Sequence, residues 1–167
     1  MSKLIKAIQA SFNNHNQSIL LTLKKNFVYE RYTYWQIKDY TLRFSTFLKN
    51  QKLSKGDKIA ICSYNCPQYF YTFLGAMFSG IILVPIDYGS SPELINKFMQ
   101  ITQCKLIITS KFKIFDTKVK KVFVEDLTYD ITNLGKTMPN KNIKANDLVE
   151  IVFTSGTTGN PKGVMLR

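Results

Sequence analysis

Ile151-Val152-Phe153-Thr154-Ser155-Gly156-Thr157-Thr158-Gly159-Asn160-Pro161-Lys162-Gly163-Val164-Met165 decides how the rest of the chain is read. An apolar, β-branched run enters a loop of glycines and small hydroxyl residues, and a second apolar run leaves it. Glycine lets the backbone turn tightly and come close to a ligand. Consecutive N–H groups in such a turn form a concave nest for an anion. Ser155, Thr157 and Thr158 add hydroxyl donors, and Lys162 adds a mobile positive charge. These are the groups a polyphosphate needs. The competing reading is a solvated glycine-rich hairpin, because the same residue types are the common turn formers.

Two well-known phosphate loops do not fit. A P-loop begun at Gly156 meets Pro161 where glycine belongs and Gly163 where the metal-binding hydroxyl belongs. The dinucleotide fingerprint needs Gly-x-Gly, and Gly156 and Gly159 are too far apart. A third loop does fit. Thr154 to Gly163 resembles, at every position, the phosphate-loop signature of the AMP-forming adenylating enzymes. That superfamily holds acyl-CoA synthetases, nonribosomal peptide adenylation domains and firefly luciferase. The resemblance implies that Thr154, Ser155, Gly156, Thr157, Thr158, Gly159 and Lys162 surround the β- and γ-phosphates of ATP, with Pro161 stiffening the loop. Shorter stretches are similar to the family in the same order: Tyr32-Thr33-Tyr34, Lys55 to Ile61, Asn65-Cys66-Pro67, Gly80 to Asp87, and Lys105 to Thr109. Asp87 to Glu93 leans toward the acyl-CoA ligase branch.

The family's chains are several times longer. The resemblance therefore implies that residues 1–167 are a partial N-terminal, AMP-binding domain. The parts that stack on adenine, hold ribose, bind magnesium through a glutamate and form most of the acyl pocket are expected beyond Arg167. So is the small C-terminal domain with its lysine. No acid, base or nucleophile is nominated, since in the family the substrate carboxylate itself attacks the α-phosphate. The implied activity is that of an ATP-dependent carboxylate–CoA ligase, with ATP and Mg as cofactors, CoA and a small carboxylic acid (a fatty acid in the preferred reading) as partners, and a fragment inactive alone. The alternatives are a nonribosomal peptide adenylation fragment, or a truncated product that only binds a partner or an anion.

Composition narrows the classes. Apolar residues make up 45% of the 167-residue chain, enough for a core. The net charge of +12 raises nucleic-acid and anionic-membrane readings. Lysine, however, outnumbers arginine 20 to 3, and arginine is favoured for bidentate phosphate recognition. The densest lysines, from Lys111 to Lys121, alternate with Val119, Val122 and Val124 as on a strand with one solvated face. Nucleic-acid binding is not expected, and peripheral membrane contact is left open. Cys62, Cys66 and Cys104 form no C-x-x-C, and His15 is the one histidine, so a Cys/His zinc site is not expected. His15 lies in the polar run Asn13 to Asn16, against a Cys–His nucleophile pair. Buried thiols in a reducing, cytoplasmic setting are expected. Lys3 and Lys6 argue against a secretion signal. Tyr69 to Pro85 is uncharged, but its glycines, its proline and its terminal β-branched cluster predict a buried helix followed by a buried strand rather than a membrane span.

The remaining pattern is α/β: a mostly parallel sheet flanked by helices. Helices are predicted over about 2–12, from the Thr33 cap to about Lys49, from an Asn65 cap with Pro67 in the first turn to Gly80, and from a Ser90–Glu93 capping box with Pro92 onward. Strands are predicted at Ser18–Leu23 and Phe27–Tyr32 around Lys24-Lys25-Asn26, then at Lys58–Cys62, Ile81–Val84, Lys105–Thr109, Val119–Glu125 and Asp147–Phe153. A polar connector over about 128–146 and a frayed end from Thr154 onward complete the expectation.

Overall fold

Consecutive apolar residues on the central strands bury both faces of one sheet, and two separate apolar clusters form against it. The structure is a computed structural model describing residues 2–154 and 162–167. Along the chain the elements are α1 (Lys3–Asn14), β1 (Ile19–Lys25), β2 (Val28–Thr33), α2 (Tyr34–Asn50), β3 (Lys58–Cys62), α3 (Pro67–Ser79), β4 (Ile82–Pro85), α4 (Pro92–Thr102), β5 (Leu106–Thr109), β6 (Lys120–Phe123), α5 (Val124–Thr132), β7 (Glu150–Thr154) and β8 (Lys162–Leu166). The strand order is β6-β5-β3-β4-β7-β8, parallel as far as β7, with β8 antiparallel to it. β1 and β2 form a separate antiparallel hairpin. This is the α/β, mostly parallel architecture expected from the pattern.

Successive side chains on a strand point to opposite faces. Ile59, Ile61, Leu83, Leu106 and Ile108 face α1, α2, α3 and α5. Ala60, Cys62, Ile82, Val84 and Ile107 face Ile95, Phe98 and Met99 of α4. β4 lies on one side of β3 and β5 on the other. The chain therefore reverses direction across the sheet at β3 and β4, and that reversal positions the cleft described below.

Helix boundaries follow from their caps. Ser2 Oγ accepts the Ile5 N–H at 3.3 Å. Thr33 and Gln36 form a reciprocal capping box, with bonds of 3.2 and 2.8 Å. Gly80 ends α3 at φ +73°, a left-handed conformation that suits glycine. Tyr69 to Pro85 is indeed a buried helix and strand, and among the described residues no helix is long and apolar enough to cross a membrane.

Several boundaries differ from expectation. The hairpin turn is Asn26-Phe27, not Lys24-Lys25-Asn26, because Asn26 takes the left-handed φ of +55° that a two-residue turn requires. The cap of α3 is Cys66 rather than Asn65, with Pro67 as first helical residue. Ser91, not Ser90, caps α4, its Oγ accepting the Leu94 N–H at 3.3 Å. Pro85 is the last residue of β4 rather than its stop, paired with Ile61. The largest correction lies at Val119–Glu125: β6 stops at Phe123, and α5 takes in Val124 and Glu125, expected in the strand, and Thr128 to Thr132, expected in the connector. Val122 and Val124 suit an alternating strand, but Val124, Leu127 and Ile131 also share a helical face, and burial of all three decides for helix. Arg43 then ties α2 to the end of α5, its Nη1 donating to the Thr132 and Leu134 carbonyls at 2.6 and 2.5 Å.

Candidate functional site

β7 and β8 are two arms of an antiparallel hairpin, with Thr154 opposite Lys162, Phe153 opposite Gly163 and Val152 opposite Val164. Ser155, Gly156, Thr157, Thr158 and Gly159, nominated from the motif, lie outside the described residues, as do Asn160 and Pro161. The two nominated residues that are described, Thr154 and Lys162, face each other across the ladder, and both are exposed. Thr154 Oγ1 donates to the Lys162 carbonyl at 3.5 Å. That bond and the ladder fix the Lys162 backbone opposite Thr154, and the lysine side chain is exposed. Phe153 stacks on Phe98 of α4, ring centroids 4.0 Å apart and planes 8° from parallel. That contact anchors the end of β7 to the sheet's covering helix. The last segment, expected to fray, is paired with β7 from Lys162 to Leu166, and the Leu166 carbonyl also accepts the Val149 N–H at 2.9 Å.

A cleft of about 470 Å³ lies beside this hairpin, past the carboxyl ends of β3, β4 and β7. Ser63, Tyr64 and Tyr69 line one wall, Asp87 and Tyr88 another, and Phe153 the hairpin side. In open parallel sheets the crevice beyond the strand ends, where the strand order reverses, is the usual ligand position. Sequence reasoning marked the strands that end here but not the cleft. The signal available was the residue directly after each buried strand, such as Ser63 after Cys62; knowing which ends are neighbours needs the strand order.

The cleft walls are braced. Glu125, at the start of α5, accepts Ser110 Oγ at 2.5 Å, the Lys111 N–H at 3.0 Å and the Tyr64 hydroxyl at 3.3 Å. Tyr64 meets Tyr88 edge to face at 6.0 Å, and Lys113 lies 5.5 Å over the Tyr88 ring. Lys113 Nζ also donates to the Ser90 carbonyl at 2.8 Å. Burial raises the Glu125 pKa, but the hydrogen bonds from Ser110 and Lys111 outweigh it, so the carboxyl sits below its ordinary value of 4.5. Burial, with the Glu125 charge next, pushes the Tyr64 hydroxyl up to about 12. A depressed carboxyl pKa contributes stability that is present above the unfolded value and lost as pH falls through the folded one. Glu125→Gln should therefore cost about 1 kcal/mol at pH 7 and progressively less as pH falls below about 4. Urea midpoints of both proteins across that range check this.

Among the described residues, no group of three or more His, Cys, Asp or Glu could hold a metal ion. Cys62 and Cys104 are buried free thiols, as expected, whereas Cys66 is half-buried. Burial pushes Cys62 and Cys104 up to about 11 and raises Cys66. A thiol so raised carries little thiolate and is a poor nucleophile. His15 caps the end of α1, its ring 5.5 Å from that of Tyr34.

The model of a family described as AMP-binding enzyme matches residues 9–167. The chain is 33% identical over 152 residues to 4-coumarate–CoA ligase 1 of Petroselinum crispum, covering 82% of this chain and 28% of that protein. It is 26% identical over 174 residues to crotonobetaine/carnitine–CoA ligase of Citrobacter koseri, covering 90% of this chain and 33% of that protein. The chain thus spans a third or less of these two relatives. Among solved structures it resembles the N-terminal subdomain of Klebsiella oxytoca NpsA, with a TM-score of 0.80 and 21% identity over 97% of this chain and 41% of that one. That likeness concerns the fold.

Proposed function

The chain belongs to the AMP-binding enzyme family, and on that premise we propose that it is the first part of the AMP-binding domain of an ATP-dependent carboxylate–CoA ligase. The observation that carries this is the β7–β8 hairpin, which sets Thr154 and Lys162 opposite each other at the two ends of the phosphate-loop motif and beside the cleft. An exposed lysine in a motif rich in glycine and hydroxyl residues suits a pyrophosphate better than a neutral ligand. Thr154, Ser155, Gly156, Thr157, Thr158, Gly159 and Lys162 are assigned to the β- and γ-phosphates.

In the proposed reaction a carboxylate oxygen attacks the α-phosphorus of ATP. The bond to the bridging oxygen breaks, pyrophosphate leaves, and an acyl-adenylate forms. The thiol of CoA then attacks the acyl carbon, AMP leaves, and the thiol proton passes to solvent. The chain's part is to hold the leaving pyrophosphate and offset its charge. Magnesium would supply further charge neutralisation; the described residues present no carboxylate cluster that fits it, and its ligand is placed outside them. A fatty acid is the proposed substrate.

The test uses the full-length enzyme containing this chain, with ATP, CoA and a fatty acid labelled with ¹⁸O in its carboxyl group. The label should appear in AMP, and acyl-CoA should accumulate. Label in phosphate, or ADP as product, would exclude adenylate formation. Faster turnover of 4-coumarate than of any fatty acid would move the substrate to aromatic acids, and transfer to a carrier-protein thiol in preference to CoA would place the chain in an adenylation domain.

A further inference from the structure

We propose that Phe98 of α4 is a positioning residue for the pyrophosphate step. By stacking on Phe153 it fixes the angle at which the β7–β8 hairpin leaves the sheet, and so where Thr154 and Lys162 stand. The step it serves rests on the ligase reading above; the link from ring to hairpin rests on geometry. β4 and β7 share one ladder pair, Leu83 opposite Glu150, with the Leu83 N–H donating to the Val149 carbonyl at 3.0 Å beside it. The other parallel neighbours in the sheet are each paired over four residues. Past Glu150 the ladder to β4 stops, and the cleft lies between Pro85 and Ile86 on one side and Val152 and Phe153 on the other. β7 continues paired with β8 as far as Thr154 and Lys162. The hairpin is thus an arm whose backbone is joined to β4 at its base.

Side chains hold the rest of the arm. Ile151 is buried in the cluster on the α4 face. Farther out, Phe153 lies flat on Phe98, centroids 4.0 Å apart and planes 8° from parallel. Phe98 is 6% exposed and belongs to the same cluster as Ile95 and Met99, so its ring is a fixed platform. On the opposite strand, a Cβ at Gly163 would lie 3.5 Å from Phe153 Cε1 and 3.3 Å from Ile151 Cγ2. The Phe153 ring therefore also rests close to the β8 backbone, one residue from Lys162. Burial alone is ordinary for a phenylalanine. A parallel ring pair just past the end of a ladder adds a preferred orientation that aliphatic packing lacks. Tilting the arm would carry the backbones of Thr154 and Lys162 together, and small misplacements of binding groups slow reactions steeply.

The test uses the full-length enzyme containing this chain. Phe98→Leu keeps an apolar side chain in the cluster and removes the ring. Amide exchange over 151–154 and 162–166 should become about tenfold faster and stay unchanged over β3. ATP–pyrophosphate exchange should fall about tenfold, in kcat more than in KM. Acyl transfer from a preformed acyl-adenylate to CoA should keep the parent rate. Met99→Leu, a conservative change in the same cluster, should alter none of these. Added to Lys162→Ala, Phe98→Leu should cost less than the product of the two separate losses, because the ammonium it helps to place is already gone. Unchanged amide exchange in Phe98→Leu would overturn the link from ring to hairpin, whatever reaction the enzyme runs. An equal loss in both half-reactions, the same loss from Met99→Leu, or fully multiplicative losses in the double variant would overturn the positioning role. If amide exchange responds to Phe98→Leu but the parent enzyme shows no ATP–pyrophosphate exchange, the ligase reading itself falls, and the positioning role falls with it.

Discussion

Valine in place of Gly75 is expected to prevent the chain from folding, and alanine to destabilise it by about 1–3 kcal/mol. Helix propensity alone predicts the opposite for alanine, since a mid-helix glycine costs about 1 kcal/mol relative to it. The difference lies in how closely α3 approaches α2. A Cβ at Gly75 would lie 2.7 Å from Phe44 Cδ1 and 3.0 Å from the Thr41 carbonyl oxygen. Phe44 is fully buried, stacked on Phe47 at 5.6 Å and tilted against Tyr71 at 6.2 Å, so its ring has nowhere to swing. The Thr41 oxygen is backbone and retreats only if the helices part. Parting them would also break the bridge in which Ser45 Oγ reaches the Gly75 and Thr41 carbonyls at 3.3 and 3.1 Å. Urea unfolding followed by circular dichroism measures the effect, and Phe44→Leu should recover part of the alanine variant's loss by freeing the space. A Gly75→Ala protein more stable than the parent would refute the close-approach argument.

That glycine shows where reading the sequence stops. Elements were legible where a local chemical reason was strong: Lys58–Cys62 from its unbroken apolar run, α2 from the Thr33 cap and its helical spacing, and α3 from Pro67 at one end and Gly80 at the other. Misreadings came where two local patterns coincide. Val122 and Val124 satisfy alternation, while Val124, Leu127 and Ile131 satisfy the helical repeat, and only packing against the core separates them. Ser90 and Ser91 both suit a cap, but the hydroxyl that reaches Leu94 belongs to Ser91. Non-local facts were not legible at all. The strand order, the isolation of α4 on its own face, and the cleft where Ser63, Asp87 and Phe153 converge all depend on which strand ends become neighbours. Of the residues nominated from the motif, Ser155 to Gly159 lie outside the described residues, and the structure adds the register that sets Thr154 against Lys162.

Replacing Lys162 by alanine is expected to slow ATP–pyrophosphate exchange about a hundredfold in the full-length enzyme, while changing this chain's stability by less than about 0.5 kcal/mol. The two effects separate because the residue's backbone and side chain do different work. Its backbone closes the ladder opposite Thr154, and alanine keeps that pairing. Its side chain is exposed, so truncation opens no cavity. As the bond between the α-phosphorus and the bridging oxygen breaks, negative charge builds on the departing pyrophosphate. On the proposed assignment the Lys162 ammonium offsets more charge in that transition state than in bound ATP, so kcat should fall more than KM rises. Lys162→Arg should fall between the two, because it keeps the charge but offers a planar fork in place of a compact one. The second half-reaction supplies the control. Acyl transfer from a preformed acyl-adenylate to CoA involves no pyrophosphate, and it should run at the parent rate in Lys162→Ala. Exchange at the parent rate would remove Lys162 from the phosphate site, and an equal loss in both half-reactions would mean that the substitution acts through the hairpin's shape instead.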